Sequence, residues 1–161
     1  EKKVMKRILA VSDTHGNVAA LCRLKKEMEK ADYIFHLGDH YYDMIPFEER
    51  FGKKIYSVKG NCDGGGEEYL FVNDGVKILL VHGDAYRVKS SLLRLSLRAE
   101  ELGVSAAFFG HTHRATIEES CGALLINPGA LSRFSDKTYC VAEITDDGLI
   151  TAKIKRLDEE S

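Results

Sequence analysis

Seven oxygen and nitrogen donors fall in five short polar clusters, each just after an apolar run: Asp13 with His15, Asp39, Asn61, His82, and His111 with His113. Two carboxylates, one amide and four imidazoles suit borderline divalent ions such as Mn²⁺, Fe²⁺, Co²⁺ or Zn²⁺. The set is too large for one tetrahedral ion. It fits a pair of ions sharing one ligand, which clamps both the attacking and the leaving oxygen of a phosphate ester. One such cluster alone is weak, because Asp-x-His and His-x-His are common in exposed turns. Five in order make a site.

The elements that must position these donors alternate strand and helix patterns, which predicts an α/β layered fold. Residues 8–11 read as a buried strand, 18–30 as an amphipathic helix with Val18, Leu21, Leu24 and Met28 on its apolar face, and 33–37 as the next strand. A short helix over 44–50 and strands over 55–58, 69–72 and 76–81 follow, the last two joined at Asn73-Asp74-Gly75. Ser90 or Ser91 is expected to cap a helix ending at Leu102 before Gly103. Strands over 106–109, 123–126, 139–144 and 150–154 complete the pattern, with Asp146-Asp147-Gly148 turning the final pair. Every donor cluster then sits just past a strand's carboxyl end, the edge at which open α/β sheets bind ligands. The i, i+2 spacing of Asp13/His15 and His111/His113 predicts extended backbone presenting both side chains to one face.

At 161 residues, the chain reads as one domain over 1–161, with residues 1–5 and 158–161 expected to fray. A formal net charge of −2 carries no footprint for nucleic acid, and points to small partners. Cys22, Cys62, Cys121 and Cys140 stand singly and read as reduced thiols. There is no apolar run of membrane length and no secretory signal pattern, so a cytoplasmic location is expected, with Met5 a candidate initiator.

The pattern Asp-x-His, Gly-Asp, Gly-Asn, His, Gly-His-x-His, running from Asp13 to His113 with Asn127-Pro128-Gly129 beyond, resembles the calcineurin-like metallophosphoesterases. The chain looks most similar to their small single-domain phosphodiesterase branch. That resemblance implies two facing mixed β-sheets flanked by helices. It assigns Asp13, His15 and His113 to one ion, Asn61, His82 and His111 to a second, and Asp39 to both, with Asp39, Asn61 and His111 counted as catalytic. Two divalent ions are implied, Mn²⁺ first, with Ni²⁺, Co²⁺, Fe²⁺ or Zn²⁺ as alternatives. Two such ions against two carboxylates and a bridging hydroxide leave about one positive charge for an anionic substrate. The implied reaction is in-line attack of that hydroxide on phosphorus.

The wider family usually has a histidine after Gly-Asn; here Cys62 takes its place. A thiol is a poor general acid at neutral pH, so esters with good leaving groups, such as aryl phosphodiesters, are expected to turn over better than alkyl monoesters. The small phosphodiesterase branch shares this substitution. Asp63 is a candidate to steer a ligand histidine.

Among the remaining polar residues, His36 reads as a satisfied core histidine, Asn17 as a helix cap, and His40 as either a pocket-mouth or a loop residue. Arg133 is either a phosphate contact or, more simply, a surface ion pair. Gly64-Gly65-Gly66 reads as a flexible loop beside the site. Two other functions stay open. A retromer subunit of similar fold works as a protein-interaction scaffold, and a nuclease or nucleotide hydrolase could use the same core. The expected partner is a small phosphodiester, with no nucleic acid, no membrane and a possible homo-oligomer.

Overall fold

Alternation along the strands divides the molecule into layers. In β1 (Val4–Val11), Ile8 and Ala10 point into one apolar cluster while Leu9 and Val11 point into another on the opposite face. A strand buried on both faces in this way must sit between two other layers. The computed structural model of the chain describes residues 4–53, 55–64 and 68–157.

The first sheet combines β1 with β2 (Tyr33–His36), β3 (Ile55–Ser57), β9 (Thr138–Thr145) and β10 (Ile150–Arg156) in the order β10-β9-β1-β2-β3. Its β1, β2 and β3 run parallel, whereas β9 pairs antiparallel with both β1 and β10. The second sheet contains β4 (Glu68–Asn73), β5 (Val76–Val81), β6 (Ala106–Phe108), β7 (Thr116–Ser120) and β8 (Ala123–Asn127), in the order β4-β5-β6-β8-β7. Here β5, β6 and β8 are parallel and the two edge strands antiparallel. These two mixed sheets face each other, as the family resemblance implied.

Between the sheets, Ile8, Phe35, Leu37 and Val58 pack against Ile78, Leu80, Phe108 and Ile126. Phe35 lies edge-on to Phe71 at 5.1 Å and to Phe108 at 5.4 Å, a favoured arrangement of aromatic quadrupoles. Helices α1 (Val18–Cys22), α2 (Lys25–Lys30) and α3 (Ile45–Phe51) cover the outer face of the first sheet through Leu21, Leu24, Met28 and Phe47. Helix α4 (Leu93–Leu102) covers the second through Leu95 and Ala99.

Several local expectations need correction. The helix expected over 18–30 is two helices, because the Arg23 and Leu24 amides bond carbonyls three residues back, at 3.1 and 3.0 Å. That tighter turn shifts the phase and leaves Val18 exposed while Leu21, Leu24 and Met28 stay buried. The stretch expected as one helix over 44–50 begins with a 3₁₀ turn, Tyr41–Met44, before α3. Ser91 does not act as the N-cap of α4; its hydroxyl accepts the Leu93 amide one residue too early for that role. Strand β7 was not expected at all: it is a polar edge strand, so it lacks the apolar alternation of a half-buried one. Residues 4 and 5, expected to fray, belong to β1. Residues 1–3 and 158–161, together with Gly65 and Gly66, lie outside the described residues. Among the described residues no helix is long and apolar enough to cross a membrane.

Candidate metal centre

The donors hang from strand ends on both sheets. Asp13 and His15 follow β1, Asp39 follows β2, Asn61 follows β3, His82 follows β5, and His111 and His113 follow β6. Side-chain oxygens and nitrogens of Asp13, His15, Asp39 and His113 all lie within 4.8 Å of one another. Beside them His82 Nε2 is 2.9 Å from Asn61 Oδ1, 3.2 Å from His111 Nδ1 and 3.4 Å from Asp39 Oδ2. Asp39 Oδ2 thus borders both groups, being also 3.5 Å from His15 Nε2.

The backbone that achieves this is not the extended one the i, i+2 spacing suggested. Asp13, His15, Asp39, His40, His111 and His113 all have positive φ, between 45° and 71°. Left-handed backbone at so many non-glycine residues is costly and persists only where the surroundings enforce it. Tight turns, rather than strand alternation, aim these side chains inward.

Enforcement comes from buried hydrogen bonds. Asp13 Oδ2 accepts from the Ser12 hydroxyl at 2.7 Å and from the His111 amide at 3.1 Å, joining the two sheets. Its Oδ1 is buried and makes no hydrogen bond among the described residues, nor does His15 Nε2. The Cys62 amide donates to Asp39 Oδ1 at 2.8 Å, leaving Oδ2 turned to the histidines. His82 Nδ1 faces the Leu37 carbonyl at 2.7 Å, so that nitrogen carries the hydrogen and Nε2 offers its lone pair to the cluster. Glycine is required behind them: a Cβ on Gly38 would lie 2.6 Å from His82 Nδ1, and one on Gly60 would collide with Asp39 Oδ1.

Electrostatically the pocket favours a carboxylate facing positive charge. Burial disfavours the Asp39 anion, yet His82 and the Cys62 amide together hold its carboxyl well below the usual range. Burial likewise opposes charge on His82, and is outweighed by Asp39, Asp13 and the Leu37 carbonyl, so its pKa is raised. Burial, then the charge of Asp39, pushes the Cys62 thiol up.

Residues outside the donor set complete the support. Asn127 donates from Nδ2 to the Gly110 carbonyl at 3.1 Å and the Thr112 hydroxyl at 2.9 Å, and accepts the Gly129 amide at 2.8 Å, pinning the turn that carries His111 and His113. Thr14 donates to Asp43 Oδ2 at 2.7 Å, and the Gly16 amide joins it at 2.8 Å. His36 is fully buried, with Nδ1 accepting the Gly38 amide at 3.1 Å and Nε2 3.0 Å from the Thr14 hydroxyl. Burial lowers its pKa to about 4, so it is the neutral core histidine the apolar context suggested. Asp43 had no sequence signal, since a carboxylate in the first turn of a short helix is ordinary.

The other candidates also find places. Asn17 caps α1, its side chain accepting the Ala20 amide at 3.4 Å. Asp63 steers no histidine ring; it accepts the backbone amides of His40 and Gly60 at 2.9 and 3.1 Å. The His40 ring stands 5.3 Å from that of His15, with its Nδ1 3.1 Å from the Tyr42 hydroxyl. Arg133 forms no ion pair among the described residues and lines a cleft of about 750 Å³ that opens on His15 and His113.

Residues 5–147 match the calcineurin-like phosphoesterase superfamily domain. A probable metallophosphoesterase of Bacillus subtilis is 38% identical over 129 residues, covering 77% of this chain and 74% of its own. Another from Methanocaldococcus jannaschii is 35% identical over 155 residues, covering 92% and 80%. A solved structure of a predicted phosphoesterase from Streptococcus pneumoniae superposes with a TM-score of 0.77 at 25% identity, over 95% of this chain and 90% of that one. Vacuolar protein sorting 29 from Cryptosporidium parvum (TM-score 0.75, 16% identity, 95% and 98% coverage) and an archaeal phosphodiesterase (0.71, 20%, 92% and 99%) share the fold.

Proposed function

We infer the activity of this protein from its family: the chain belongs to the calcineurin-like phosphoesterase superfamily, whose members use divalent metal ions. The reading is a metal-dependent phosphoric ester hydrolase that acts on phosphodiesters. One observation carries it. The buried Asp13 Oδ1 makes no hydrogen bond among the described residues, yet faces His15, His82 and His113 Nε2 at 3.9, 3.8 and 3.4 Å. A buried, unpaired carboxylate oxygen is expensive unless a cation satisfies it.

The donor set fits two ions. Asp13, His15 and His113 would hold one, Asn61, His82 and His111 the other, and Asp39 both. When bound, such ions lower the pKa of water towards neutrality and stabilise charge on phosphoryl oxygens. The chain's own contribution is orientation and charge. His82 and the Cys62 amide hold Asp39 as an anion, the Leu37 carbonyl fixes the His82 tautomer, and Asn61 adds an oxygen without adding charge. Cys62 stands where a general acid would be useful, but its raised pKa keeps the thiol poorly suited to protonate a leaving group at pH 7. Leaving groups that depart unprotonated, such as aryl oxides, are therefore favoured. A scaffold role of the retromer type has support from fold likeness alone.

The test is chelation followed by readdition of Mn²⁺, Ni²⁺, Co²⁺ or Zn²⁺, with bound metal and hydrolysis of bis(p-nitrophenyl) phosphate measured together. About two ions per chain and restored hydrolysis are expected. An Asp39→Ala variant should lose both. Full hydrolysis by folded, metal-stripped protein would overturn the reading.

A further inference from the structure

The metal centre opens on one side, past His15 and His113. The cleft of about 750 Å³ has His15 and His113 at one end, and its walls come from Arg114 on the loop after β6 and from residues 132–136 ahead of β9. That second segment is a braced turn. The Ser135 hydroxyl donates towards the Ala130 and Ser132 carbonyls at 2.8 and 2.7 Å and accepts the Lys137 amide at 3.1 Å, while Lys137 Nζ reaches the Arg133 carbonyl at 2.8 Å. At its apex Phe134 is wholly exposed, with 102% of its reference area accessible, and it meets no other ring among the described residues.

A single exposed aromatic is ordinary, but this one stands on a hydrogen-bonded turn at the lip of a phosphoesterase cleft, beside Arg133. Neither Arg114 nor Arg133 forms an ion pair among the described residues, and Asp136 is the one carboxylate lining the cleft. An adjoining cleft of about 540 Å³ shares Arg114 and brings Lys155 and Arg156. Cationic groups thus outnumber carboxylates along the whole path leading away from His113. A flat apolar ring in a cleft that also presents two guanidinium groups without ion pairs among the described residues suits a ligand that is itself an aromatic ring carrying separate anionic groups.

We propose that this cleft is a nucleotide-recognising subsite, so that the substrates are phosphodiesters in which one esterified group is a nucleoside bearing a further phosphate. The base stacks on Phe134, a geometry that accepts any base because each has a π-face. The additional phosphate lies against Arg114 and Arg133. The remaining ester group projects away from the cleft as the leaving group. The assignment rests on the phosphodiesterase reading above, but the subsite can be tested apart from it.

Three diesters with the same leaving group separate the contributions: methyl p-nitrophenyl phosphate, thymidine 5′-(p-nitrophenyl phosphate), and the latter carrying a 3′-phosphate. In the Mn²⁺-loaded protein, kcat/KM should rise by about tenfold at each step. Phe134→Ala should erase the first rise through KM with kcat unchanged, and Arg133→Gln with Arg114→Gln should erase the second. Unaltered rankings in these variants would overturn the proposal. Calorimetric titration of thymidine 3′,5′-bisphosphate, without added metal, gives an independent readout. Wild-type binding that weakens at least about fivefold in each variant supports the subsite; equal affinities, or no binding, overturn it. Failure to hydrolyse all three diesters with every metal would count against the phosphodiesterase reading, and the titration would still decide the subsite.

Discussion

His82 Nε2 stands 2.9 Å from the side-chain oxygen of Asn61, while its Nδ1 is committed to the Leu37 carbonyl at 2.7 Å. In a neutral ring this sets one lone pair against another, and Asp39 Oδ2 at 3.4 Å adds a third. A proton or a cation between these atoms relieves that repulsion. The pair explains why an amide suits position 61: it supplies an oxygen without a second negative charge competing for the same cation.

The Cys62 position governs leaving-group chemistry. Replacing Cys62 by His puts an imidazolium-capable group beside Asp39, and the ratio of monoester to aryl diester turnover should rise by about tenfold or more. Steady-state rates on p-nitrophenyl phosphate and bis(p-nitrophenyl) phosphate measure it. An unchanged ratio would show that Cys62 does not set the preference.

Gly38 has φ of +106°, and a Cβ there would press on His82 Nδ1 at 2.6 Å and on the Gly60 amide nitrogen at 2.7 Å. Gly38→Ala should cost about 2 kcal/mol or more in denaturant unfolding and lower metal occupancy. Gly52→Ala is the control, since Gly52 also has positive φ but open space around its Cβ. The control should cost less and leave metal content intact.

Asn127 acts at one remove. Asn127→Ala frees the turn carrying His111 and His113 without touching a donor, so metal affinity should fall by about 10–100-fold. Competition against a chelator of known affinity reads this directly, and undiminished affinity would remove Asn127 from the supporting set.

His36 gives a pH signature. Its pKa falls from 6.5 in the unfolded chain to about 4 in the fold, chiefly through burial. Between those values the unfolded chain binds a proton that the folded one does not. Its effect on stability is nil above pH 6.5 and increasingly adverse as pH drops towards 4, by up to about 1.4 kcal/mol per pH unit. In His36→Gln that portion of the acid slope should flatten in urea titrations between pH 4 and 7.

Much of this molecule was legible in its residues because both signals were local. Apolar runs marked β5 and β6, and the polar tips after them marked His82, His111 and His113. What escaped was set by turns, edges and hydrogen bonds that an apolar pattern does not carry. Val18 leaves the apolar stripe because of a tightened turn at Leu24, and β7 carries no alternation because it lies wet at an edge. Asp43 and Asp63 hold backbone amides, a role that any exposed carboxylate could have had on paper. Most telling are Asp13/His15 and His111/His113, whose spacing suggested extended chain. Their left-handed φ values are imposed by Ser12, Asn127 and the opposite sheet, none of which local pattern reveals.

Asp13, His15, Asp39 and Asn61 descend from one sheet, and His82, His111 and His113 from the other, with the His111 amide and the His82 ring already reaching across the gap. An ion held by Asp13, His15, Asp39 and His113 would therefore fasten the two halves of the sandwich at their rim like a clasp. Amide protection along β2 and β6 would then gauge occupancy, and the breathing of this seam, rather than of the core beneath it, is what ion loss would release.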